Sequence, residues 1–163
     1  MTTQKVEWID YEVSGHTIEE VAASIQSAKD SKPELRTHDA YTEPDVILEQ
    51  IEIGGGLVQS RTWLRVSVWL PRLAGDAPDD VAACFATYRA ALEAHEALHV
   101  RSGELMFSKL HRWMTGSSRS ADEVQGKILE LKTDADARAA ELDQRTDHGG
   151  PDCRFPPPGC DHG

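Results

Sequence analysis

From Val81 to Trp113 the chain repeats an inward-facing residue every three or four positions. The stripe runs Val81, Phe85, Tyr88, Leu92, His95, His99, Gly103, Met106, Leu110 and Trp113. A repeat of that length predicts one long amphipathic helix whose apolar face must be covered by the rest of the domain. Asp76-Ala-Pro78 opens it, with proline near the first helical position, and it closes near Thr115-Gly116. Two histidines lie on this stripe among residues otherwise suited to a core. Burying them requires partners for their ring nitrogens.

The remaining elements follow from shorter patterns. Lys5 to Val13 reads as a strand, with Ile9, Tyr11 and Val13 alternating against polar neighbours. Thr17-Ile-Glu-Glu20 is a capping-box start for a helix reaching about Lys29. Residues 31–44 are polar, contain two prolines and read as loop. Two strands follow, Val46 to Ile53 and about Gln59 to Leu70, joined around Gly54-Gly-Gly56. In the second, Leu64, Val66, Val68 and Leu70 face one way, and Trp63, Arg65, Ser67 and Trp69 the other. That alternation suits an antiparallel hairpin with one face on a core, ended by Pro71. Ser120-Ala-Asp-Glu123 is a second capping box, opening a helix with the stripe Val124, Ile128, Leu131, Ala135, Ala139 and Leu142. After Asp143 the chain reads as loop. The expected organisation is one domain, residues 1–149, and a Gly/Pro-rich tail, residues 150–163, extended or mobile. The fold class is α+β: a small antiparallel sheet with one short helix, then two long antiparallel helices carrying a zincin-like metal site.

The segment His95-Glu96-Ala97-Leu98-His99 carries the chemistry. Four residues is one helical turn plus about 40°, so both imidazoles project from one face and can share a metal ion. Glu96 is rotated by about 100° from His95, where it can reach a water beside the metal and act as general base. The bland alternative is two core histidines satisfied by hydrogen bonds. A catalytic zinc takes three protein ligands and leaves one position open. The histidine six residues beyond the second, familiar in one large class, is absent, and Glu130, Glu141 and His148 are the candidates. If the long helices pair antiparallel, residue 140 returns about 30 Å along the bundle, the distance from residue 115 back to His95. That geometry favours His148, in Thr146-Asp-His148-Gly149. Tyr88 and Arg145 are candidates for stabilising an oxyanion, and Asp147 for orienting a histidine.

Together these residues resemble the bacterial domain of unknown function 922 family, described as predicted secreted zinc-dependent proteases. The resemblance covers Tyr11-Glu-Val-Ser-Gly15, Val68-Trp-Leu-Pro71, His95-Glu-Ala-Leu-His99-Val100 and Thr146-Asp-His148-Gly149. It implies a metallopeptidase site with His95 and His99 as ligands, Glu96 as base and His148 as third ligand, with zinc (Zn2+) as cofactor. The chain departs from the family at Leu142, where an aromatic residue is usual, and lacks the usual cysteine between the hairpin strands.

Composition excludes other classes. A net charge of −11 leaves no clustered Lys and Arg for a nucleic-acid backbone. No apolar run approaches the ~20 residues of a membrane span. The N-terminal residues show no export signal, which reads as cytoplasmic, whereas the family resemblance implies secretion or a periplasmic location. Of the three cysteines, Cys84 reads as a buried apolar residue. Cys153 and Cys160 could form a disulfide, bind a second metal with His162, or do neither. His16, His38, His111 and His162 read as surface residues, and Trp63 and Trp69 as core or the lining of a substrate groove. The expected function is a zinc-dependent hydrolase, with Glu96 as base and a peptide or protein as substrate. The alternatives are a non-catalytic zinc module and a pseudo-enzyme that binds a partner through the same groove.

Overall fold

The structure is a computed structural model that describes residues 3–160, apart from 34, 36–37, 55–56 and 116–118. Strand β1 (Thr3–Val13) leads to helix α1 (Ile18–Ser31), then strands β2 (Tyr41–Gly54) and β3 (Leu57–Leu73). Two long helices follow, α2 (Asp79–Met114) and α3 (Ala121–Thr146), and a 3-10 turn at Pro151–Cys153. The α+β class and the long helical pair are as expected.

The sheet is mixed where an antiparallel one was expected. β3 lies in the centre, antiparallel to β2 and parallel to β1. Tyr41, at the start of β2, pairs with Trp69, which pairs in turn with Ile9 near the end of β1. The chain between β1 and β2 thus leaves and rejoins the same end of the sheet. It sets β2 two strand positions from β1, and β3 fills the gap between them. Strand alternation dictates which side chains face the core but not which neighbour a strand takes.

Two prolines sit in strands for local reasons. Pro44, in the stretch expected to be loop, pairs with Val66 from the edge strand β2, where a missing donor is tolerated. Pro71 was expected to end β3, yet the strand runs on to Leu73. β2 pairing reaches only to Trp69, so Pro71 faces β1 alone. Its carbonyl accepts a hydrogen bond of 2.6 Å from Arg89 of α2.

Leu64, Val66, Val68 and Leu70 of β3 are wholly buried, as the alternation demands. Trp63 and Trp69, on the other side of the strand, are half-buried, and Trp69 stacks on Tyr41. From α2 the core receives Val81, Phe85, Tyr88, Leu92, Met106 and Leu110, and from α3 Val124, Ile128, Leu131 and Ala135. Gly103 brings α2 close to β2: a Cβ there would lie 2.9 Å from the Pro44 Cβ. The Ser120–Glu123 capping box forms as expected, whereas at α1 only half of one does: Thr17 accepts from the Glu20 N–H, but the Glu20 carboxylate accepts from the His16 N–H.

Beyond α3 the described tail folds back on α2 instead of extending away. Phe155 packs on Phe85 and Tyr88, and Cys160 forms a disulfide with Cys84. The cysteine expectations are therefore corrected: Cys84 is bridged, and Cys153 is free and buried. Cys160 is then spent as a metal ligand, and His162 lies outside the described residues. Among the described residues no helix is long and apolar enough to cross a membrane.

Candidate metal centre

The helical pair brings three donor atoms to one point. His95 Nε2 and His99 Nε2 lie 3.1 Å apart, and each lies 3.1 Å from Asp143 Oδ1. The two rings meet edge to face, with centroids 4.8 Å apart, as one-turn spacing on α2 dictates. Asp143 arrives from α3, which continues to Thr146 and so carries this carboxylate inside the helix. His95 is buried, and His99 and Asp143 are half-buried.

Hydrogen bonding alone does not account for this triangle. Each ring offers Nε2 to the same carboxylate oxygen and to the other ring. Two imidazole protons can serve at most two of the three edges, leaving one pair of like-polarity atoms in contact. A central cation serves all three: donors about 2.0–2.1 Å from a tetrahedral ion are separated by about 3.3 Å. Nor does Asp143 simply orient the histidines from behind, since an orienting carboxylate takes the ring nitrogen turned away from the metal. The donor set of two imidazoles and a carboxylate thus fits a divalent first-row ion. Burial and the neighbouring His99 push His95 below the ordinary histidine range, against the pull of Asp143. That keeps it in the neutral, ligating form.

Glu96 faces a different side of α2 and is buried beside the triad. Its Oε2 accepts a 2.6 Å hydrogen bond from the Thr42 hydroxyl of β2. Burial pushes its carboxyl up to about 7; the Thr42 bond opposes this, and the charge of Asp143 adds to it. The triad and Glu96 line a cavity of about 870 Å³. The cavity's walls come from Tyr41 to Pro44 of β2, Ala135 and Ala139 of α3, and Cys153 to Phe155 of the tail.

His148 lines the same cavity but lies outside the group of donors close enough to share one ion, which is His95, His99 and Asp143. It stands in a left-handed turn: Asp147, His148, Gly149 and Gly150 all have positive φ. Its ring packs on that of His38, with centroids 5.6 Å apart. Asp147 pairs with Arg154 at 2.9 Å, and Tyr88 is wholly buried with its hydroxyl donating to Asp39 at 3.0 Å. Arg145, Glu130 and Glu141 are exposed and line no part of the cavity, and Glu130 pairs with Lys127. Sequence reasoning missed Asp143 as a donor and His38 as a cavity residue. Asp143 did carry a signal, because it continues the Ala135–Ala139 stripe of α3 by one further step of four.

Fold and site together define an α+β domain with a His-His-Asp donor cluster built across a helical hairpin. The chain belongs to the family described as bacterial protein of unknown function (DUF922), whose profile matches residues 8–149. No curated protein and no solved structure matches it.

Proposed function

We propose that this chain is a metal-dependent hydrolase that cleaves peptide bonds, with zinc held by His95, His99 and Asp143. The observation that carries the reading is the 3.1 Å donor triangle with a buried glutamate next in sequence to one of its corners. A divalent ion supplies Lewis acidity, polarising a carbonyl oxygen and making water acidic near neutral pH.

The chain's own groups do the rest. Glu96, with its carboxyl near 7, accepts a proton from water as the water oxygen bonds to the carbonyl carbon. When the C–N bond breaks, the same proton leaves with the amine, so one carboxyl serves as base and then acid. Thr42 holds that carboxylate in one orientation. A peptide is favoured over a small amide because β2 is an edge strand of the sheet and its first residues line the cavity. An extended chain can add to such an edge through main-chain hydrogen bonds.

The test is metal content together with hydrolysis of dye-labelled casein and a mixed peptide library. We compare the wild type with Glu96→Gln. One zinc per chain in both, with hydrolysis lost in the variant by about 10²-fold or more, is expected. Equal residual hydrolysis in both would assign the activity to a contaminant. A second reading is a structural metal, favoured by the way the triad ties α3 to α2. It gains if zinc is bound, nothing is cleaved, and zinc removal melts the fold.

A further inference from the structure

We propose that His38 contacts the substrate in this cavity, its ring N–H donating to the carbonyl oxygen under attack; this rests on the hydrolase reading above. His38 lines the cavity that holds the triad and Glu96, yet lies outside the donor group. Among the described residues neither of its ring nitrogens has a hydrogen-bond partner, so the donor is available to a ligand.

What sets His38 apart from an ordinary loop histidine is the construction behind it. Its neighbour Asp39 is fastened from three elements at once. Lys29 of α1 binds Asp39 Oδ1 at 2.7 Å, and Tyr88 of α2 donates to Oδ2 at 3.0 Å. Tyr11 of β1 donates to the Asp39 carbonyl. Both tyrosines are buried, and both hydroxyls are pushed well above the ordinary phenol range, by burial first and then by the Asp39 charge. A buried polar network of this kind is costly unless every member is satisfied, and here it fixes one short stretch of backbone.

That stretch has His38 at one end and Thr42, the partner of Glu96, near the other. The His38 N–H closes a turn onto the Leu35 carbonyl at 2.9 Å. Its ring rests on His148 at a 43° tilt. The backbone that carries the imidazole is therefore anchored through Asp39, and the ring packs against His148. A donor fixed in advance is what stabilising a developing oxyanion requires, because no reorganisation is then needed as charge appears. The neutral ring suffices, and burial together with His148 holds His38 below the usual histidine range.

The experiment uses the full chain loaded with Co2+ in place of zinc and a phosphonate dipeptide as oxyanion mimic. Wild type, His38→Phe and His38→Gln are compared for metal content, visible spectrum and probe affinity. Phe keeps ring packing on His148 and removes the donor; Gln keeps a donor. We expect one metal per chain and one spectrum throughout. His38→Phe should bind the probe at least about 10-fold more weakly, and His38→Gln within about 3-fold of wild type. Equal probe affinity in wild type and His38→Phe overturns the inference and leaves the hydrolase reading intact. Metal loss or a changed spectrum in His38→Phe overturns it by making His38 a ligand or a structural residue. A wild type that takes up no metal, or takes up metal and ignores the probe, overturns both.

Discussion

The Thr42 hydroxyl donates to Glu96 Oε2 across 2.6 Å, joining the start of an edge strand to a carboxylate buried beside the His95–His99–Asp143 cluster. This single bond sets the distance between the wall that a substrate chain would follow and the group that would move its protons. It also supplies a partner to a carboxyl that is buried apart from its opening to the cavity.

Removing that donor has a predictable cost. Thr42→Val keeps the shape of the side chain and leaves Glu96 without its partner, a loss of about 1–3 kcal/mol for a buried polar group. Thr42→Ser restores the hydroxyl and most of the stability. Urea unfolding of the three proteins at one pH measures it. A Thr42→Val midpoint equal to wild type would mean the carboxyl finds water or stays protonated without cost.

Asp143 and His148 make opposite predictions about metal. Asp143 Oδ1 is 3.1 Å from both ring nitrogens, whereas His148 stands outside that group. Asp143→Ala should therefore weaken zinc binding by more than the roughly 10–100-fold typical of residues that only support a ligand. His148→Ala should keep zinc affinity within about an order of magnitude of wild type. Competition with a chromophoric chelator gives both constants. The reverse ranking would move the third position to His148.

The contrast between those two residues shows what the chain discloses locally and what it does not. The α2 stripe and the His-Glu-x-x-His spacing are set by helical geometry, so they are readable without a structure. Asp143 was readable too: it stands four residues beyond Ala139, on the face of α3 that buries Ala135. Taking Leu142 as the last apolar residue cut the helix short and hid it. His38 had no such mark. It stands in a polar loop, and its place in the cavity depends on Tyr11, Lys29 and Tyr88 reaching Asp39 from distant parts of the chain. The parallel β1–β3 pair and the Cys84–Cys160 bridge are likewise long-range facts, which neither alternation nor cysteine spacing encodes.

Gly149 is the point where the tail meets α2. Its φ is +87°, and a Cβ there would lie 2.3 Å from Cys153 Sγ and 3.2 Å from His95 Cγ. Gly149→Ala should cost about 2–4 kcal/mol, from the left-handed backbone and from displacing the Cys153 segment. Because the same Cβ presses on His95, zinc affinity should fall together with the melting temperature. Gly159→Ala serves as control: its φ is also positive, +86°, but nothing lies within 4 Å of the added carbon. If both variants lose equally little, backbone strain alone governs the site and the contact with His95 is immaterial.

The Cys84–Cys160 bridge closes a loop across 76 positions, fastening the cavity wall formed by the tail to the start of α2. Chain-entropy arguments put the loss on reduction at about 4–5 kcal/mol. For a domain of this size that is a drop in melting temperature on the order of 10 °C. Calorimetry with and without reductant, and of Cys84→Ser with Cys160→Ser, reads it directly. A melting temperature indifferent to reductant would show that the bridge adds nothing to the fold.

Cys153 behaves differently, because it is buried and unbridged. Burial, with the charges of Glu96, Asp152 and Asp39 adding to it, raises its thiol to about 11 from an ordinary 9.0. The folded chain thus favours the protonated thiol. This contributes stability that is fully present below pH 9 and is lost as the pH rises through 11. In the native, unreduced protein the thiol should therefore resist a maleimide or a disulfide reagent at pH 8. It should react only as the pH approaches 11 or as the chain unfolds. Counting thiols with such a reagent in buffer and in denaturant separates the cases. No label in buffer and one per chain in denaturant is the expected pair of values, since only Cys153 is free. Full labelling at pH 8 without denaturant would mean that the tail segment from Gly149 to Phe155 opens readily. The cavity would then lose, for part of the time, the wall that Cys153 and Phe155 provide.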